Sequence, residues 1–207
     1  MTSLDLEHHL QSTGARRIAG LDEAGRGALA GPVVAAAVIL PLDQPDHLAA
    51  LRDVDDSKRL TPHQRDRLFD LIVAHALTYA VGAGSSIRID QEGILTTTRH
   101  AMSEAVHHLA APPDYLLIDG PIYLKQIRLP QQAVIHGDGL SLSIAAASIV
   151  AKVLRDRYMI ALGALYPQYG FEHHKGYATP QHLAALHAYG PIALHRHSFA
   201  PVKQRLL

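Results

Sequence analysis

The 207-residue chain has no cysteine and no tryptophan, and its formal net charge is zero. Without cysteine there are no disulfides, thiolate metal ligands or cysteine nucleophiles, which sits most easily with a reducing compartment. Long apolar runs are missing too. The longest, 28–40, has 13 residues and is interrupted by Gly31 and Pro32, against the roughly 20 that span a bilayer, so no membrane partner is expected. No basic segment followed by an apolar one opens the chain, so no secretory leader is expected and the cytoplasm is the expected location. Lys plus Arg and Asp plus Glu each number 19, a balance that counts against a strongly basic nucleic-acid binder.

What is present is the composition of a folded chain. Hydrophobic residues make up 48% and charged residues 18%, without the signature of disorder. No repeat, low-complexity block or linker divides the sequence, so residues 1–207 read as one domain, with a core over about 15–165 and a helical extension over about 166–207. Segments 17–21 and 33–40, rich in Val, Ile and Ala, read as strands around a glycine-rich turn, with acidic residues where the first strand ends. Thr61-Pro62 predicts the start of a helix over 63–75. Further strands are expected at 77–82, 115–118 and 133–135, and helices at 94–109 and 180–188. The Ala-rich stretch 141–165, apolar nearly all round at its start, predicts a buried helix. Strands mixed with such helices give an α/β fold with helices on a central sheet.

Asp22-Glu23, Asp119 and Asp138 each follow an expected strand, where a core fixes the backbone and side chains project into a cleft. Singly, each such acid reads more readily as a capping, turn or solvated strand-end residue. Four clustered carboxylates repel one another unless a cation sits among them, which points to hard divalent ions, Mg²⁺ or Mn²⁺, and to two-metal phosphoryl transfer. Neighbouring strand residues face opposite ways, so Asp22 and Glu23 share one metal site only if the chain turns there or Glu23 offers its carbonyl. Gly25-Arg26-Gly27 reads either as a backbone cradle for an anion or sugar or as a tight structural turn; it matches neither a Walker loop nor a dinucleotide fingerprint.

The string Gly20-Leu-Asp22-Glu23-Ala-Gly25-Arg26-Gly27-Ala-Leu-Ala-Gly-Pro32 resembles the opening motif of the ribonuclease HII family. Asp56-Ser57-Lys58-Arg59-Leu60, Leu117-Ile-Asp119-Gly120, Gly137-Asp138 with Ser143 to Lys152, Arg155-Asp156-Arg157, and His174-Lys175-Gly176-Tyr177-Ala178-Thr179 follow in the family's order, over residues 16–202. Ala178 stands where proline is commoner in that motif. The resemblance implies a ribonuclease H-like fold, with a central mixed sheet flanked by helices and a C-terminal helical extension. It also implies a metal-dependent endonuclease cutting the RNA strand of RNA–DNA hybrids and ribonucleotides embedded in duplex DNA, leaving 3′-hydroxyl and 5′-phosphate ends.

By the same resemblance, Asp22, Glu23, Asp119 and Asp138 are the metal-binding and catalytic set, with Mn²⁺ or Mg²⁺ as cofactor. Gly25, Arg26 and Gly27 contact the ribonucleotide, whose 2′-hydroxyl separates RNA from DNA, and Tyr177 sits by the sugar at the RNA–DNA junction. Lys58, Lys152 and Lys175 are phosphate-contact candidates, Lys152 having an equal alternative as the i+4 partner of Asp156. Asp156, between two arginines, stays outside the site. The 15 histidines show no metal-ligand spacing, though His173 and His174 adjoin Lys175 and Tyr177. A monomer is expected, and 202–207 bears a weak resemblance to a replication-clamp docking tail. The rivals are an endonuclease that cuts all-DNA duplex and a non-catalytic hybrid binder.

The zero charge conceals a division: residues 1–138 carry 12 Lys/Arg against 17 Asp/Glu, and residues 139–207 carry 7 against 2. A basic C-terminal third is expected to face the phosphates.

Overall fold

The computed structural model describes residues 2–204. Five strands, β1 (Ile18–Ala24), β2 (Val33–Ile39), β3 (Thr78–Gly84), β4 (Tyr115–Asp119) and β5 (Gln131–Val134), form one sheet in the order β3-β2-β1-β4-β5. β1 and β2, and β2 and β3, run antiparallel, while β4 lies parallel to both β1 and β5. Helices α1 (Asp5–Ser12), α2 (Pro45–Ala50), α3 (Pro62–His75), α4 (Ser86–Glu92), α5 (Ile94–His107) and α6 (Leu142–Leu165) flank the sheet; α7 (Phe171–His174), α8 (Pro180–Tyr189) and α9 (Ala200–Lys203) form the C-terminal helical part.

The expected elements appear, with instructive shifts. β1 does not end before the acids: Asp22 pairs with Ala36 and Glu23 with Ala35, because the apolar segment of β2 supplies partners for the whole strand. β5 starts two residues earlier than expected, at Gln131. Short helices α1, α2 and α4 fall where the sequence shows too few turns to establish a period. Thr61 caps α3 through a capping box with Gln64, and Ser141 caps α6 by accepting from the Ile144 amide.

Two apolar layers enclose the sheet. On one face Ala36, Val38 and Ala24 pack against Ala146, Ile149, Val150 and Val153 of α6. On the other, Leu21, Ala35, Ala37 and Ile118 meet Ala101, Met102 and Ala105 of α5. α6 approaches β1 so closely that a Cβ on Gly20 would lie 2.2 Å from the Ser143 carbonyl carbon. Glycine there lets the helix lie directly over the strand that carries Asp22.

In the tail read over 202–207, residues 205–207 lie outside the described residues. Val202 is buried against Leu29 and Leu186, part of the fold and not a free docking residue. Among the described residues no helix is long and apolar enough to cross a membrane.

Candidate active site

The strand register itself brings the acids together. Leu21 on β1 pairs with Ile118 on parallel β4, so the next residues, Asp22 within β1 and Asp119 at the end of β4, lie side by side on the α6 face. Asp138 comes from the turn after β5, which His136 enters in the left-handed region at φ 56°. One carboxylate oxygen from each of Asp22, Asp119 and Asp138 can be chosen so that all lie within 4.8 Å of one another. Asp22 and Asp138 are buried, and Asp119 is half-buried.

Backbone amides fix these carboxylates. Asp22 Oδ1 accepts from the Glu23 amide at 2.7 Å, and Asp119 Oδ1 from the Gly137 amide at 2.7 Å and the Asp138 amide at 3.4 Å. Lys58 Nζ donates to Asp138 Oδ2. Burial, then the charges of Glu23 and Asp119, push the Asp22 carboxyl well above the usual range, against the pull of the Ser148 hydroxyl and the Glu23 amide. Burial and Asp138 raise Asp119. Partial burial alone would lower Lys58, but Asp138 outweighs it and the ammonium is raised.

Glu23 stands apart from the three aspartates. Its side chain leaves the opposite face of β1, and Arg26 Nη1 holds Oε1 at 3.1 Å, while Oε2 is buried without a partner. Burial raises its pKa and Arg26 opposes the rise. No turn occurs at 22–23, so of the two routes that strand alternation allows, the turn is absent and the Glu23 carbonyl is the one left. Glu23 nonetheless lines the same cleft as Asp22.

That cleft, of about 350 Å³, gathers most of the expected site: Asp22, Glu23, Gly25, Arg26, Gly27 and Lys58 line it with Ser57, Ser148, Lys152 and Tyr177. The 25–27 segment is a turn braced from within. Gly25 has φ +92°, and a Cβ there would lie 1.9 Å from Arg155 Nε. Two fully buried arginines hold the loop by its carbonyls. Arg196 donates to the carbonyls of Gly25 at 2.7 Å, Arg26 at 2.8 Å and Gly31 at 3.0 Å; Arg155 donates to those of Pro32 at 2.9 Å and Ala30 at 3.2 Å. With those carbonyls turned inward, Arg26 and Gly27 stay exposed at the cleft.

Tyr177 is half-buried, with Arg155 Cζ 5.3 Å and Lys152 Nζ 5.6 Å from its ring centroid. Lys152 also pairs with Asp156 at 2.8 Å, so the i+4 alternative is realised while the lysine still lines the cleft. Lys175 does not join this cleft. It lines an adjoining one of about 360 Å³ with Arg65, Lys152, Arg157 and Tyr177, and its ammonium donates to the Glu172 carbonyl.

Sequence reasoning missed Arg196 altogether and gave no role to Arg155, Ser57 or Ser148. The Ser57 and Ser148 hydroxyls meet at 2.7 Å beneath the acids. Arg155 and Ser148 fell within quoted motifs, but the signal for a role, a buried cation without a carboxylate, exists only in three dimensions.

The donor set fits a hard divalent cation: three convergent carboxylates, two of them buried and Asp22 raised by burial and then by its charged neighbours, beside an orphaned buried Glu23 oxygen. Imidazole does not belong to this group, and thiolate is absent from the chain.

The family model described as ribonuclease HII matches residues 19–202. A ribonuclease HII of Geobacillus kaustophilus is 53% identical over 200 residues, spanning 97% of this chain and 74% of that protein. Among solved structures, the crystal structure of ribonuclease H2 from Pyrococcus horikoshii OT3 superposes with TM-score 0.78 at 25% identity, covering 91% of this chain and 96% of that one. The ribonuclease HII of Archaeoglobus fulgidus, solved in complex with PCNA, superposes with TM-score 0.76 at 27% identity, covering 89% and 96%.

Proposed function

Because the chain belongs to the ribonuclease HII family, and is thus a ribonuclease H endonuclease for RNA paired with DNA, we propose that it also cuts at ribonucleotides embedded in duplex DNA, using Mg²⁺ or Mn²⁺ and leaving 5′-phosphate and 3′-hydroxyl ends. The observation that carries this reading is a cluster of three convergent aspartates, one of which, Asp22, lines a cleft shared with an arginine-braced glycine loop.

Asp22, Asp119 and Asp138 would hold the cation, with Glu23, on the opposite face of β1, joining the set through its carbonyl. Bound there, divalent ions would supply activation of water and charge stabilisation of the leaving oxygen. The chain's own residues do the rest. Arg155 and Arg196 preset the 25–27 loop, so its exposed backbone groups can read the 2′-hydroxyl without reordering. Lys58, tied to Asp138, stands where a phosphate would approach. Tyr177 forms the opposite wall and sets the sugar at the RNA–DNA junction, while Lys152 and Lys175 face the neighbouring backbone. An isolated hybrid binder has no use for this acidic cluster, which would repel phosphate.

The test is a duplex with a single ribonucleotide, incubated with Mg²⁺, Mn²⁺ or EDTA beside an all-DNA control. Cleavage at the ribonucleotide with metal only is expected; cutting of the all-DNA duplex would favour a general DNA endonuclease. A clamp partner is supported only by the likeness to the Archaeoglobus fulgidus protein. Removal of residues 205–207 without loss of clamp affinity would dismiss the tail as its anchor.

A further inference from the structure

Behind the Tyr177 segment lies a chain of buried histidines that the active site does not use. His182 and His195 are fully buried, and their Nε2 atoms meet at 3.1 Å. His195 Nδ1 faces the Ile192 amide at 3.0 Å, and His182 Nδ1 faces the Tyr177 carbonyl at 2.9 Å. Backbone amides only donate and carbonyls only accept, so the ring protons follow by elimination. Nδ1 of His195 must be bare, which places its proton on Nε2; that proton points at a bare Nε2 of His182, whose own proton then goes to the Tyr177 carbonyl. The two neutral rings therefore form a single directed relay from the 192–195 turn to the backbone of residue 177.

We propose that His182 and His195 are positioning residues for Tyr177, the relay holding its carbonyl and so the placement of its ring against the cleft. The inference rests on the reading of Tyr177 given above. Three features support it. Gly176, next in the chain, is at φ +82°, with a Cβ position 2.5 Å from the Ala30 carbonyl oxygen, so this segment is locked to the glycine-rich loop. Leu29 donates its amide to the Gly176 carbonyl at 2.8 Å, and the Arg196 amide donates to the Leu29 carbonyl at 2.8 Å. Loop, tyrosine and histidine relay are thus one hydrogen-bonded assembly.

The relay works in one charge state only. A second proton on His182 places two N–H groups against each other at the Nε2 contact, and one on His195 sets an Nδ1–H against the Ile192 amide. The titratable groups facing it are His174, stacked on His182 with centroids 4.4 Å apart, Tyr169, 5.0 Å from the His195 ring, and His197. Glu172, His173 and Lys175 act on His174.

The experiment is a double-mutant cycle on the duplex with one ribonucleotide. His195→Phe should lower kcat about tenfold with little change in KM, and should add less than about twofold when Tyr177 is already Ala. Equal losses in both backgrounds, or no loss, would overturn the relay in favour of a structural role. His182→Gln, offering an amide N–H to the Tyr177 carbonyl and an oxygen to His195, should recover most of the rate and stands in if His195→Phe does not fold. Amide exchange at residues 177–179 gives a readout independent of cleavage: His195→Phe should speed it, and unchanged exchange would refute positioning. If Tyr177→Ala alone cuts normally, the reading of Tyr177 fails instead.

Discussion

Asp22 is where stability and function oppose each other most directly. A carboxylate with 3% exposure, beside Asp119 and Glu23, is held against desolvation and like charge. Asp22→Asn removes that charge at constant shape. Cleavage should be lost, while the variant in EDTA should melt a few degrees above the parent, about 1 kcal/mol corresponding to roughly 2–4 °C at this size. Divalent metal should raise the parent's melting temperature and leave the variant's nearly unchanged. A variant that turned over normally in excess metal would refute the assignment. Gly20 carries a different constraint. A methyl group there meets the Ser143 backbone, which has no side-chain rotamer to yield. Gly20→Ala should therefore destabilise by about 1–3 kcal/mol, measured by denaturant unfolding, with a change below about 0.5 kcal/mol showing that α6 can shift.

Among the elements, the 25–31 loop owes its shape to cations far away in sequence. Arg196 satisfies three of its carbonyls and stacks on Phe199 at 5.1 Å, and burial lowers its pKa, with Arg155 adding to the effect. Arg196→Met leaves the Arg26 and Gly31 carbonyls without donors, and the Gly25 carbonyl with only the Ala28 amide at 3.3 Å, and should cost about 3 kcal/mol or more in unfolding free energy, by the desolvation of the orphaned groups. Arg196→Lys should restore little, since one ammonium does not reproduce the planar fork. This dependence also explains what the sequence made legible. Strand segments, the capped α3 and α6, and the three aspartates were readable because each rests on a local pattern followed by a turn. The pairing of Asp22 with Asp119 rests on parallel register, and the roles of Arg196, His182 and His195 on burial. Neither is encoded in a local period. The end of β1 was misplaced for the same reason: its length is set by β2, not by its own residues.

At the scale of the whole molecule, the basic C-terminal third is less outward-facing than its charge count suggests. Arg155 and Arg196 point inward, Lys152 pairs with Asp156, and Arg157 pairs with Asp66 on α3. The phosphate-facing surface we propose is therefore narrower than the charge count implies, built around Lys58 and Lys175, with Lys152 shared with Asp156. Ionisable groups also set two opposing pH dependences. His182 and His195 are lowered, first by burial, to about 4, against roughly 6.5 in an unfolded chain. Between those values the unfolded chain binds protons that the fold refuses, so this contribution is complete above about pH 6.5 and is lost as pH falls toward 4. Asp22 and Asp119 act in reverse. Their raised values mean the folded carboxyls take up protons before the unfolded ones do, so acidification relieves their repulsion. In EDTA the two effects partly cancel. Removing the Asp22 part of the acid side with Asp22→Asn should leave more of the histidine side uncompensated, so the variant's melting temperature should fall more steeply than the parent's between pH 6.5 and 4. Parallel curves would mean that the Asp22 carboxyl contributes no proton uptake of its own, and that the acids are held apart by more than amides and Lys58.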